Sequence, residues 1–421
     1  MNGSNGVVTL TDIKKRNKNK IQWKYVGYKK QGETYPLKIW ENLECVLEKH
    51  NIIVRLNCIN HEIDYLGMDS NNSDLRNGKV TDIYALQVLE GLNLSRAETE
   101  NSIIRIAEKN KYNPFIDMLK ENKNDNFSII DEVFSCIEIN DNFEGNKEYY
   151  ETIFQKWCLN VVKMAHNTLQ NDFSSQGVLV LQGGQGCFKS TFSRKLMPNK
   201  SWFKGDKSLD PEKVDSVIQN TSYILVEWGE LDSTLKGEQA KLKQFITSTN
   251  DEYRSPYARF PEKYPRVTSY IGTVNKKDFL KDETGSRRFW IIPVKKCNID
   301  KLDKINMSEF WGAVYSLWLR GDLIDYLTID EMQVLNEINK EYAFENDVTI
   351  TLNEKIDWNM DYEYWKVYNI TEVCDYLYLK EKKQVKIELE KRGIEYKAHK
   401  IRNGRVKKGF KLPKLENDNN F

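Results

Sequence analysis

The chain of 421 residues holds 63 Lys+Arg against 62 Asp+Glu, with 40% hydrophobic and 30% charged residues. That length admits two to four globular domains, and the even charge balance means that any nucleic-acid surface must be local. No apolar run approaches the ~18 residues that span a bilayer. Met1–Gly6 has no apolar signal core, and the seven cysteines include no C-x-x-C pair. The expectation is a cytoplasmic protein with no membrane contact, disulfide framework or zinc site.

Residues 1–20 read as a basic, solvated arm. Aromatic and alternating apolar residues from Ile21 to Asp69 predict short strands around a helix at Trp40–His50. Helices are predicted at Thr81–Leu92 and at Ser95–Asn110, the second opened by a Ser95/Glu98 capping box. Polar joints follow, and a domain boundary is placed at 147. Tyr149–Gln170 then reads as a long helix leading to the apolar strand Val178–Leu181.

After that strand comes Gly183-Gly184-Gln185-Gly186-Cys187-Phe188-Lys189-Ser190-Thr191. A glycine-rich turn between strand and helix lets backbone N–H groups converge on phosphate. Lys189 suits β/γ-phosphate oxygens, and Ser190 (or Thr191 beside it) suits Mg²⁺. Phe188 stands where the pattern G-x-x-x-x-G-K-[ST] wants a second glycine, and it is expected to point away from phosphate. The cofactors expected are ATP and Mg²⁺.

A strand at Tyr223–Val226 ends in acids. Glu227 is assigned to Mg²⁺ and Glu230 to activation of the attacking water, with the two roles exchangeable. A helix spans about 237–247, and the strand Thr268–Val274 ends at Asn275, a candidate to hold the lytic water, with Thr273 assisting. Arg287 and Arg288 follow a Gly-Ser turn before the strand that starts at Trp290. Arg287, or Arg288 in its place, is read as an arginine supplied to a neighbour's site. Strands alternating with helices imply a largely parallel sheet, and every one of these residues is expected at the carboxyl ends of its strands.

The order Gly-Gln-Gly-x-x-Lys-Ser-Thr-Phe, Val-Glu-x-x-Glu-Leu, Tyr253-Arg254-Ser-Pro-Tyr257-Ala-Arg259, Gly-Thr-Val-Asn and Thr284-Gly-Ser-Arg-Arg-Phe-Trp closely resembles the virulence-associated E family. Its members are replication proteins of phages, plasmids and mobile islands. The resemblance covers about residues 150–325 and implies a superfamily 3-like AAA+ helicase core that forms rings, with a hexamer expected. Glu227, Glu230, Asn275 and Arg287 fall on the family's motif positions.

Between the acids and Asn275, four cations (Arg254, Arg259, Lys263, Arg266) interleave with four aromatics. This reads as a hairpin in which Arg254, Tyr257, Arg259 and Lys263 could meet DNA, although Arg254 or Arg259 could instead serve the nucleotide or a subunit interface. Asp325–Tyr342 is read as a helix. Helices at Ile370–Leu377 and Gln384–Gly393, then two basic strands about Asn403-Gly404, form a winged-helix pattern. Lys380–Lys414 carries 14 Lys/Arg against 4 Glu, which points to DNA phosphate near Arg402, Arg405, Lys407 and Lys408.

The fold expected is therefore α/β. A P-loop AAA+ core at 148–325 lies between a mixed α+β region at 1–147 and a helical connection with a winged helix at 326–421. The function expected is an ATP-dependent DNA helicase and replication initiator, acting on single-stranded, forked or origin DNA. The alternatives are an origin-binding protein with a weak nucleotide site, and a nucleotide-dependent kinase.

Overall fold

The computed structural model describes residues 21–68, 76–205, 209–229, 231, 239–254, 261–280, 286–343, 347–400 and 405–415. The chain opens with the hairpin β1 (Val26–Tyr28) and β2 (Thr34–Pro36) and the helix α1 (Trp40–Lys49). The antiparallel pair β3 (Ile53–Leu56) and β4 (Ile63–Leu66), α2 (Arg76–Leu89) and α3 (Arg96–Lys109) complete a unit with its own apolar cluster, running from Leu43 to Ala107. Asn42 is buried at its centre. It accepts from the N–H groups of Lys24 and Tyr25 and donates to the carbonyls of Tyr25 and Leu37, so all four of its hydrogen bonds are made within the protein. The Ser95/Glu98 capping box opens α3 as the sequence predicts.

The central unit begins with α4 (Pro114–Glu121), α5 (Ser128–Phe134), β5 (Ile137–Ile139) and α6 (Lys147–Ala165). It continues through β6 (Val178–Gln182), α7 (Lys189–Lys195), β7 (Phe203–Lys204), α8 (Val214–Thr221), β8 (Leu225–Trp228) and α9 (Gln239–Ile246). The hairpin β9 (Asn250–Tyr253)/β10 (Glu262–Pro265) precedes β11 (Ser269–Val274), β12 (Phe289–Cys297), α10 (Met307–Arg320) and α11 (Ile329–Lys340). Six strands form one sheet in the order β5-β12-β6-β11-β8-β7. All neighbours are parallel except the edge strand β5. Val178–Leu181 and the whole of β8 and β11 are buried, as continuous apolar runs require when helices cover both faces of a sheet. The Trp157 indole of α6 donates to the Tyr270 carbonyl of β11 at 3.1 Å, and the Trp311 indole of α10 donates to the Leu196 carbonyl just after α7 at 2.7 Å.

The third unit holds α12 (Asp347–Lys355), β13 (Lys366–Tyr368), α13 (Ile370–Leu377), α14 (Lys382–Lys391), β14 (Lys397–Lys400) and β15 (Val406–Leu412). Its sheet runs β13-β15-β14, all antiparallel. The two helices and the ribbon are where the sequence places them, and β13 is an added strand. No helix among the described residues is long and apolar enough to cross a membrane.

The packing seams differ from the sequence boundaries. Phe115, Phe134 and Ile139 belong to the apolar cluster of the large sheet, which extends to Tyr342, and a separate cluster starts at Val348. Apolar packing thus runs across 147 and 325, because β5 pairs with β12 and α11 packs beside it, and Ile59 also belongs to this cluster. The helix expected to reach Gln170 ends at Ala165. There Asn167 turns the chain, donating to the carbonyls of Phe173 at 2.8 Å and Arg266 at 2.9 Å. The helix expected from Asp325 starts at Ile329, where Thr328 and Glu331 form a capping box. Asp325 instead accepts from Lys163 and Asn160 of α6.

Candidate functional site

The turn after β6 is fastened on both sides. Gly183 donates to the Val274 carbonyl of β11 at 3.1 Å, and Cys297 of β12 donates to the Cys187 carbonyl at 2.9 Å. A Cβ on Gly183 would stand 2.1 Å from the Val294 carbonyl oxygen, so only glycine fits there. Within the turn Gly186 and Phe188 have φ of 82° and 61°, while Cys187 between them stays negative. Such alternation bends successive N–H groups toward one concave side, an anion-binding geometry.

Phe188 thus occupies the left-handed conformation that a glycine would adopt freely, and its ring is 51% exposed. The strain of ~1–2 kcal/mol falls on the backbone rather than on the cavity. Phe188→Gly is expected to leave thermal stability nearly unchanged, since relief of strain offsets the greater freedom of the unfolded chain. If the turn holds ATP, as the sequence leads one to expect, turnover should stay within a few-fold, and a large gain measured by phosphate release would show that the loop is tuned to be slow.

Lys189 opens α7 and turns back over the loop. Its ammonium donates to the carbonyls of Gly183 and Gly184, each at 2.7 Å, and to Asn275 Oδ1 at 3.0 Å. Burial holds its pKa below the ordinary lysine value, opposed by the nearby Cys187, Cys297 and Glu227. Glu227, 3% exposed in β8, accepts from the Thr273 hydroxyl of β11 at 3.0 Å. The sheet order explains the convergence, because β11 lies between β6 and β8 and delivers Thr273 and Asn275 between the lysine and the carboxylate. A cavity of about 560 Å³ is lined by Gln185, Gly186, Cys187, Phe188, Lys189, Ser190 and Thr191 on one side, and by Gly229, Thr273, Asn275 and Lys276 on the other. Glu230 lies outside the described residues.

Ser190 and Glu227 offer a hydroxyl and a carboxylate oxygen, the donor type that suits Mg²⁺, an ion that takes few protein ligands and completes its shell with water and phosphate. Sequence reasoning passed over two contributors. Lys276 follows Asn275 directly, but a lysine after a strand is ordinary. Gly205 after β7 approaches Glu227, and a Cβ there would stand 3.0 Å from Oε2, which only the fold reveals.

The arginine pair does not lie at the carboxyl ends of the strands, contrary to expectation. Ser286–Arg288 is a turn that precedes β12, and Phe289 pairs with Val178 at the start of β6, while Pro293 pairs with Gln182 at its end. About five residues of strand, ~17 Å, separate the pair from the glycine turn. Arg287 is exposed, whereas Arg288 is half-buried with its Nε unpartnered. Asn339 of α11 clamps this turn by donating to the carbonyls of Ser286 at 2.8 Å and Phe289 at 3.2 Å. No local pattern in the sequence marks that asparagine.

The expected hairpin is present as β9/β10, but its tip, with Tyr257 and Arg259, lies outside the described residues. Arg254 is exposed at the end of the stem. Lys263 stands opposite Glu252, 4.0 Å away, so its charge is partly offset. Arg266, one of the four cations of the basic segment, is 1% exposed and grips Asp251 through two hydrogen bonds, beneath the ring of Phe245. It holds the stem and faces no solvent. Asp251→Asn should therefore destabilise the fold by ~3–5 kcal/mol, the cost of stranding a buried cation, as read from denaturant unfolding.

On the C-terminal ribbon, Arg402 lies outside the described residues and Arg405 is exposed. Lys407 turns inward to Glu372 of α13 at 3.0 Å, while Lys408 lies by the Tyr396 ring, 5.8 Å from its centroid. Adjacent strand residues face opposite sides, so these two lysines do not share one surface.

Residues 119–344, more than half of the chain, match the virulence-associated protein E-like domain family. The chain belongs to this family. No curated protein matches it. Among solved structures, the apo structure of the NrS-1 C-terminal region is similar over 89% of this chain and 99% of that one, with 12% identity and a TM-score of 0.51. An A-form apo structure of the same region has the same identity and coverage and a TM-score of 0.47. The first likeness extends the shared fold well beyond the family match, into the flanking units.

Proposed function

We propose that this virulence-associated E-like protein is an ATP-hydrolysing DNA helicase and replication initiator that works as a ring, with six subunits expected. The observation that carries this reading is the meeting of Lys189, Asn275 and Thr273 around one polar cavity at the carboxyl ends of adjacent parallel strands, with Glu227 buried behind Thr273 and accepting from its hydroxyl. The glycine turn and Lys189 would hold the β- and γ-phosphates, with the lysine exchanging its carbonyl partners for phosphate oxygens. Ser190 and Glu227 would hold Mg²⁺, which when bound would supply charge neutralisation on the phosphates. Asn275 would orient water, and Glu230 is proposed as the base.

Arg287 is too far from its own cavity to act there. Its exposure at the opposite end of the sheet suits a subunit boundary, with Asn339 fixing the turn that presents it. The winged-helix reading of α13, α14 and the β14/β15 ribbon supplies a DNA grip through Arg405 and Lys408. The exposed hairpin end at Arg254 would supply a second.

Strand displacement on forked DNA tests the whole reading, with electron microscopy of the same sample. ATP-dependent unwinding by closed rings is expected. DNA binding without ATP turnover would favour an origin-binding protein whose nucleotide site is weak.

A further inference from the structure

The C-terminal unit holds a second cleft, of about 620 Å³, whose lining includes Lys355, Trp358, Met360, Tyr376, Tyr378 and Lys414. No element of the large sheet contributes to it. Tyr378 is the notable member. It ends α13 in the left-handed conformation, with φ of 59°, at a position that helices commonly give to glycine. Its side chain is nevertheless 80% exposed. A large aromatic held at a strained position and left in water gains little for the fold, and such outliers gather at binding sites.

The surroundings of the ring have a consistent chemistry. The Lys355 ammonium lies 4.5 Å from the Tyr378 centroid, and the Arg392 guanidinium lies 4.6 Å from that of Trp358. Two residues beyond Met360, Tyr362 is 63% exposed beneath the Lys411 ammonium at 3.5 Å. The acids of the cleft are Glu354 and Asp357, and Asp357 accepts from the Asn359 N–H at 3.1 Å. Lys355 and Lys414 of the lining equal these acids in number, and Arg392 and Lys411, on the rings of Trp358 and Tyr362, add positive charge beside it. Exposed aromatic rings, each with a cation against one face, match a ligand with flat rings and regularly spaced negative charge. In duplex DNA the base faces are hidden by stacking, so the match is to unpaired bases.

We propose that this cleft binds single-stranded nucleic acid, with a base stacked on Tyr378 and adjoining phosphates on Lys355 and Lys414. The site rests on the reading of the protein as one that acts on DNA, and not on its nucleotide chemistry.

The test uses the full chain and fluorescence anisotropy with a fluorescein-labelled oligothymidylate and with a labelled duplex, both without ATP. Tyr378→Gly removes the ring and relieves its backbone, so its melting temperature should equal or exceed that of the parent. Single-strand binding should weaken by ~5–100-fold, as expected for loss of one stacked base, while duplex binding holds. Tyr378→Phe keeps the ring and should bind like the parent. Parental single-strand affinity in Tyr378→Gly would overturn the proposal, and so would an equal loss for strand and duplex, which would indicate charge alone. If the parent protein binds neither DNA, the proposed function fails together with the cleft.

Discussion

Lys189→Ala is expected to lower ATP turnover by at least ~10²–10³-fold, the scale found when one donor aimed at developing charge is removed. The lysine is 6% exposed and its three acceptors are neutral oxygens, so no buried carboxylate loses its partner. Lys189 itself lines the cavity, so its truncation opens space through which water can reach the two carbonyls it leaves. Melting temperature and duplex binding should therefore remain close to those of the parent. Phosphate release at saturating ATP and Mg²⁺ is the measurement, and parental turnover in this variant would sink the assignment of the cavity.

Arg287→Ala should be at least as damaging, at ~10³–10⁵-fold, if the arginine stabilises charge on a phosphoryl group in transfer. The geometry adds a sharper expectation. Neither variant alone has a complete site, but a mixed ring can contain an interface with Lys189 on one side and Arg287 on the other. Mixing Lys189→Ala with Arg287→Ala should thus restore part of the turnover. An arginine acting within its own subunit predicts no recovery at any ratio. Arg288→Ala is expected to act differently, because Arg288 is half-buried and its loss disturbs the turn that Asn339 clamps.

The sheet was legible because its strands are short apolar runs, each followed by polar or small residues, a pattern that few other structures produce. The asparagine and the buried glutamate were legible for the same reason, since each lies at or near the end of such a run, and the lysine because it follows the glycine turn and opens a helix. What was hidden depends on register and on distant partners. That the arginine turn lies at the far end of the sheet follows from the pairing of Phe289 with Val178, which no local pattern encodes. Packing across residue 147 was hidden because Ile137–Ile139 is too short to read as a strand, yet it closes the edge of the sheet. Arg266 looked like a cation of a basic hairpin, and only the position of Asp251 shows it to be internal. Phe188 looked like damage to a motif, although the backbone it sustains is the one that a glycine would give.

The nine-residue strand β12 has a consequence for timing. It begins at the arginine turn and, ~30 Å later, ends with the Cys297 N–H on the carbonyl of Cys187, inside the glycine turn. In the proposed ring, each such strand would be a strut between a subunit's own nucleotide and the one its neighbour holds. A shift of the loop on phosphate release would push or pull the arginine offered next door. Hydrolysis should then pass around the ring in order, and turnover plotted against ATP should rise with a Hill coefficient above one.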